Sequence, residues 1–179
     1  MHYTGTIWRP PYEAYSLLIQ VTAGCTHHSC KFCTLYEDLP FKFKLSPFSE
    51  VEQDLAEASK YYHKVPRIFF TGANPFVLNT EKLKALAKMV KEYYPKYETI
   101  GCFARITDIT PKTVEELREL HALGYDGITI GVETGDDEML AFMNKGFQSK
   151  DTIEQCKKLE AANISYNFFY LTGISGAGR

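Results

Sequence analysis

Three cysteines, Cys25, Cys30 and Cys33, fall within nine residues, in the stretch Gly24-Cys25-Thr26-His27-His28-Ser29-Cys30-Lys31-Phe32-Cys33. Thiolates are the ligands of soft metal centres, and three on one short loop hold such a centre while leaving it one ligand short. In a cluster of four irons, that leaves one iron open to a small molecule. Zinc is the competing chemistry: it would take the three cysteines with His27 or His28 as a fourth ligand and close the site. Zinc sites usually draw ligand pairs from separated segments. Here both histidines sit inside a four-residue spacer, where ligating the same ion as both flanking cysteines strains the loop. A cluster relieves that crowding, because each thiolate binds a different iron.

Other reactive residue types stand at the ends of apolar runs. In Phe70-Thr71-Gly72-Ala73-Asn74-Pro75 the glycine lets backbone approach a ligand, and strand-end carbonyls accept from an ammonium. An ordinary turn before a helix gives the same pattern. Glu133 closes Gly127-Ile128-Thr129-Ile130-Gly131-Val132-Glu133, and a carboxylate at the end of a buried strand needs a partner or a ligand. A neighbouring lysine, or the helix that starts near Asp136, offers the alternative partner. Lys145 follows Met143-Asn144, where a lysine also complements a helix dipole. Arg105 leaves the run Cys102-Phe103-Ala104 toward the same rim, as a ligand for an anion or as a salt bridge to Asp108. Cys102, in a strand, and Cys156, on a helical face with Ile153 and Leu159, read as small core residues.

The elements that position these residues follow from periodicity. Apolar runs over Ala14–Val21, Arg67–Gly72, Thr99–Ala104, Gly127–Glu133 and Ser165–Gly173 predict five buried strands. Between them the spacing turns helical. Val51, Leu55, Ala58 and Tyr62 share one face, as do Leu83, Leu86, Val90 and Tyr93. Ser46-Pro47 and Thr110-Pro111 read as helix starts, Gly124 and Gly146 as helix stops. Strand alternating with helix predicts right-handed parallel βαβ units. Periodicity leaves open whether the sheet is doubly wound or part of a barrel; in both, the functional loops lie at the C-terminal strand ends. Trp8-Arg9-Pro10-Pro11-Tyr12-Glu13 predicts a rigid extended segment over the first strand. Thr172–Arg179 directly follows a strand, which predicts a piece of a longer protein or a partner on that side.

Composition narrows the classes. With 179 residues, 45% of them hydrophobic, the chain can bury a substantial core. A net charge of −2 with interspersed signs gives no basic footprint for nucleic acid. No apolar run approaches the roughly 18 residues of a membrane span, and the N-terminus has no signal-peptide pattern. Five cysteines, three of them clustered, argue against a secreted disulfide framework and for a reducing cytoplasm.

The cysteine loop, the glycine turn, Arg105 and the strand ending in Glu133, in this order, resemble the radical SAM superfamily. The resemblance is to the branch with oxygen-independent coproporphyrinogen oxidase and the methylthiotransferases, and it runs from Leu17 to Gly176. In that family three cysteines hold a [4Fe–4S] cluster whose fourth iron is chelated by S-adenosylmethionine. The Cys30-x-x-Cys33 half matches, with the aromatic Phe32 before the last cysteine, while the first gap is one residue longer than usual. The resemblance implies a parallel (β/α) partial TIM-type barrel truncated after its fifth strand. It would form one domain over residues 1–179, with residues 1–13 as an extension. It implies that Cys25, Cys30 and Cys33 hold the cluster and that the backbone of Gly72, Ala73 and Asn74 holds the amino group, although that turn's usual acidic residue is absent. Glu133 then meets the ribose, Lys145 or Arg105 the carboxylate, and Phe32 the adenine. The implied activity is reductive, oxygen-sensitive cleavage of S-adenosylmethionine to a 5′-deoxyadenosyl radical that takes hydrogen from an unidentified substrate. An external one-electron donor such as flavodoxin or ferredoxin would feed it. A non-catalytic zinc or iron–sulfur binding module is the alternative.

Overall fold

A computed structural model describes residues 1–174 and Gly176; Ser175 and residues 177–179, in the C-terminal stretch discussed above, lie outside the described residues. Among the described residues seven strands form: β1 (Leu17–Gln20), β2 (Thr22–Gly24), β3 (Phe43–Leu45), β4 (Arg67–Thr71), β5 (Thr99–Ala104), β6 (Ile128–Glu133) and β7 (Tyr166–Tyr170). Five of them make a parallel sheet in the order β1-β4-β5-β6-β7, and β2 and β3 form a separate antiparallel hairpin. The helices are α1 (Phe48–Ser59), α2 (Thr80–Tyr93), the single turn α3 (Ile106–Ile109), α4 (Val114–Ala122), α5 (Asp137–Phe142) and α6 (Ser149–Ala161).

Side chains alternate across a strand, so register sorts them onto two faces. One face carries Ile19, Ile68, Phe70, Ile100, Cys102, Ile128 and Ile130, all fully buried in the main core. The same core takes in Val51 and Leu55 of α1, Leu83, Leu86 and Val90 of α2, Leu117 and Leu120 of α4 and Leu159 of α6. Each such side chain contributes about 1.5–3 kcal/mol by leaving water. The helices therefore cover a single face. That settles the ambiguity left by periodicity in favour of an open part of a (β/α) barrel over a doubly wound sheet.

The opposite face carries Arg67, Phe69, Gly101, Phe103, Thr129, Gly131 and Phe169. The start of the N-terminal segment lies against the first strand, with Tyr3 OH donating to Leu18 O at 3.1 Å and Thr4 N to Gln20 Oε1 at 2.6 Å, and its later part crosses this face. Pro11–Glu13 is a 3₁₀ turn, and the fully buried Glu13 carboxylate takes Arg67 at 2.6–3.0 Å. Tyr12 bonds Thr129 Oγ1 at 2.8 Å. Gly101 makes room, since a Cβ there would sit 2.4 Å from the Arg67 guanidinium.

Several local expectations shift. The β2–β3 hairpin was not anticipated, because its strands have three residues each and flank the cysteine loop. The first strand starts at Leu17, Ala14–Ser16 being taken up by the turn after Glu13. Helix α1 starts after Pro47 and not at Ser46, whose amide is drawn to Val21 O at 3.0 Å. Helix α4 is capped by Thr113, not Thr110: Thr113 Oγ1 accepts from Glu116 N while Glu116 accepts from Thr113 N, and only Thr113 has a glutamate three residues on. Tyr62 lies beyond the end of α1 and is exposed, and Ile153 faces solvent although Cys156 and Leu159 of the same helix are buried. Gly124 ends α4 at φ +87 as expected; after α5 the left-handed residue next to the cap is Asn144 at φ +56, and Gly146, also left-handed at φ +79, comes two residues later. No helix among the described residues is long and apolar enough to cross a membrane.

Candidate active site

Every strand of the sheet delivers its next residues to one rim, the C-terminal end. From β1 the chain passes through β2 into the cysteine loop. Gly24 starts it at φ +73, where a Cβ would meet Lys42 O at 2.3 Å, and Cys25 N donates to that same carbonyl at 2.9 Å. Cys33 N turns back to Cys30 O at 3.1 Å, and the three thiols are half-buried and free. Burial pushes the Cys30 and Cys33 thiols up, while the positive Lys145 pulls in the opposite direction at both.

After β4, Gly72 adopts φ +127 and packs so tightly on Thr22 that a Cβ would fall 2.0 Å from Thr22 Oγ1. Ala73 faces the rim. The Asn74 side chain is fully buried and committed inward: Nδ2 donates to Thr26 Oγ1 at 2.7 Å and to both Asp108 carboxylate oxygens at 3.1 Å. After β5, Arg105 N donates to Asp108 Oδ2 at 2.7 Å. The Arg105 guanidinium turns to Thr107 Oγ1 and to the Lys145 carbonyl, so Asp108 is not its ion-pair partner.

At the end of β6, Glu133 stands at φ +70, a conformation costing a non-glycine residue roughly 1–3 kcal/mol. The β6–β7 register shifts between Gly131 and Glu133. Lys145 reaches across from beyond α5, donating to Gly131 O at 2.9 Å and lying 3.2 Å from Glu133 Oε1. Its ammonium is also 5.5 Å from the centre of the Phe32 ring.

These pieces enclose a cavity of about 290 Å³, near the lower end of the range for small-molecule sites. Of the ten residues singled out from sequence, Cys25, Cys30, Cys33, Phe32, Ala73, Arg105, Glu133 and Lys145 line it. Gly72 and Asn74 do not; they pack behind the wall and brace it. His28, a candidate ligand only in the zinc alternative, also lines it, as do residues not anticipated from sequence: Trp8 and Arg9 from the N-terminal segment, Tyr36 from the loop region, and Phe103 and Phe169 from β5 and β7. His27 turns away, its Nε2 bonded to Asn144 O. Among the described residues no three His, Cys, Asp or Glu side chains converge on a single point for one metal ion.

A parallel α/β partial barrel with a thiol-rich loop on its C-terminal rim defines a cofactor-binding domain of the barrel class. The chain belongs to the radical SAM superfamily, whose family description matches residues 19–177. Members of that superfamily work with a [4Fe–4S] cluster and S-adenosylmethionine. The heme chaperone HemW of Bacillus subtilis is 23% identical over 158 residues, which cover 83% of this chain and 40% of that protein. The cobalamin-dependent radical enzyme OxsB superposes with a TM-score of 0.67 at 20% identity, covering 87% of this chain and 24% of that one. Coproporphyrinogen III oxidase of Escherichia coli gives 0.62 at 18% identity, over 86% of this chain and 36% of that one. The chain thus spans less than half the length of these relatives.

Proposed function

We propose that this chain is the cluster- and cofactor-binding part of a radical S-adenosylmethionine enzyme. Cys25, Cys30 and Cys33 hold a [4Fe–4S] cluster through three irons. The observation that carries this reading is the shared cavity: three soft donors, a carboxylate and two cations line it together. S-adenosylmethionine has complementary groups, with hydroxyls for Glu133 and a carboxylate for Lys145 or Arg105. The backbone at Ala73, the one residue of that turn lining the cavity, holds its amino group, with Gly72 and Asn74 bracing it from behind, and Phe32 packs near its adenine. A bound, reduced cluster would supply the one electron for reductive cleavage of this cofactor to methionine and a 5′-deoxyadenosyl radical able to take hydrogen from a substrate.

The residues bind, orient and exclude water. Binding iron requires the thiols to lose protons, so burial at Cys30 and Cys33 opposes assembly and the nearby Lys145 charge assists it. Phe103, Phe169 and Tyr36 keep the cavity apolar opposite the charged groups. An external one-electron carrier such as flavodoxin or ferredoxin serves as donor, and the free thiols suit a reducing cytoplasm.

Anaerobic reconstitution tests the cluster. Iron and sulfide near four each per chain are expected, with a low-temperature EPR signal on reduction. The Cys25→Ala, Cys30→Ala and Cys33→Ala variants lose both. Stoichiometric zinc without sulfide, or variants that retain iron, overturns the reading. One relative is named a heme chaperone, so cluster binding without radical chemistry is the second reading. Formation of 5′-deoxyadenosine separates the two.

A further inference from the structure

The spacer between Cys25 and Cys30 is docked on both sides. On the β4–β5 side, Asn74 holds Thr26, donating to its hydroxyl at 2.7 Å and accepting from its amide at 3.3 Å. Asp108 in turn fixes Asn74. On the β6 side, the chain just past α5 grips the rest of the loop. The Asn144 carbonyl accepts from His27 Nε2, the Asn144 side-chain amide donates to Ser29 O at 2.9 Å, and Met143 O accepts from Lys31 N at 3.1 Å. Because a carbonyl is the acceptor, His27 Nε2 carries the proton. Asn144 makes both contacts from φ +56, a left-handed conformation that asparagine tolerates better than most residues.

We propose that Asn144 is a positioning residue that clamps the cysteine loop through His27 and Ser29. The proposal rests on the reading of the three cysteines as cluster ligands. Its next neighbour, Lys145, carries the ammonium that meets Glu133, so one short segment sets the cysteine wall and the cationic wall together. The clamp also gives the four-residue spacer a physical reason. Thr26 docks on Asn74 and His27 and Ser29 on Asn144, with His28 between the last two at φ +43. His27 is thereby committed to Asn144 rather than to a metal.

The first test needs no metal. Alkylation of each cysteine by iodoacetamide in the metal-free full chain, read by peptide mass spectrometry, reports how firmly the loop is held. His27→Phe and Asn144→Gly, the latter chosen because glycine accepts the backbone angle, are expected to speed alkylation of Cys30 about two- to ten-fold, the range for one lost hydrogen bond. His27→Gln keeps an N–H donor and stays close to the parent. Cys102, fully buried in β5, is the internal control. In reconstituted, reduced protein, His27→Phe and Asn144→Gly broaden the cluster's EPR signal, and His27→Gln restores the parent's line shape. Unchanged Cys30 rates in both clamp variants overturn the proposal, and so does an equal rise at Cys102, which marks general loosening. If the parent takes up no iron while the Cys30 pattern holds, the cluster reading fails and the clamp stands.

Discussion

Lys145 Nζ lies 3.2 Å from Glu133 Oε1, and both side chains are almost wholly withdrawn from water. Removing one partner from such a pair leaves a buried charge without compensation, which costs about 3–5 kcal/mol. Lys145→Met is therefore expected to destabilise the protein by that amount. The double variant Lys145→Met/Glu133→Gln recovers part of the loss, because no uncompensated charge remains. Urea denaturation of the four proteins in a double-mutant cycle measures the coupling. Additive losses would mean that the pair contributes nothing as a pair.

The Glu13–Arg67 ion pair anchors the part of the N-terminal segment that crosses the sheet. Glu13 is fully buried against Arg67, and the same segment brings Trp8 and Arg9 to the cavity. Glu13→Gln leaves the guanidinium short of its carboxylate and is expected to lower stability by about 3 kcal/mol. Tyr12→Phe loses only the bond to Thr129 and costs about 1 kcal/mol. Thermal and urea unfolding give both values; equal effects would show that the ion pair is not the anchor.

Two buried groups give stability a pH dependence. Desolvation pushes the Asp108 carboxyl up to about 6 and the Lys112 ammonium down to about 8. Asp108 holds its proton more tightly when folded, so its stabilising contribution is full below 3.8 and is lost as pH rises through about 6. Across that window it lowers stability by about 1.4 kcal/mol per pH unit. Lys112 works in the other sense. Its contribution is full above 10.5 and is lost as pH falls through about 8. Urea midpoints across pH for the parent, Asp108→Asn and Lys112→Met test this: the first variant flattens the acidic window and the second the alkaline one.

The cysteine loop and the strand ends were legible in the sequence because their signals are local. Cys25, Cys30 and Cys33 stand together, and Glu133 and Arg105 each end an apolar run. The parallel order of the five strands followed from alternation of short apolar runs with amphipathic stretches. What stayed hidden depends on distant partners. Asn144 was not singled out from the sequence, which placed the helix stop at Gly146; the fold brings it to His27 and Ser29. Trp8 and Arg9 carry no pattern, and long-range anchors on either side, Thr4 on Gln20 and Glu13 on Arg67, hold the segment that brings them to the cavity. Asn74 was read as a backbone contact to the ligand, yet it packs behind the cavity wall with its amide spent on Thr26 and Asp108. The choice between barrel and doubly wound sheet was equally non-local, because it turns on which strand face the helices cover.

The most direct measurement of the account is the product of cofactor cleavage. Reconstituted protein given dithionite and S-adenosylmethionine under anaerobic conditions should form 5′-deoxyadenosine and methionine in equal amounts. The Cys30→Ala variant should form neither. A reconstituted parent that carries four irons and binds the cofactor, yet yields no 5′-deoxyadenosine above the Cys30→Ala background, would contradict the account.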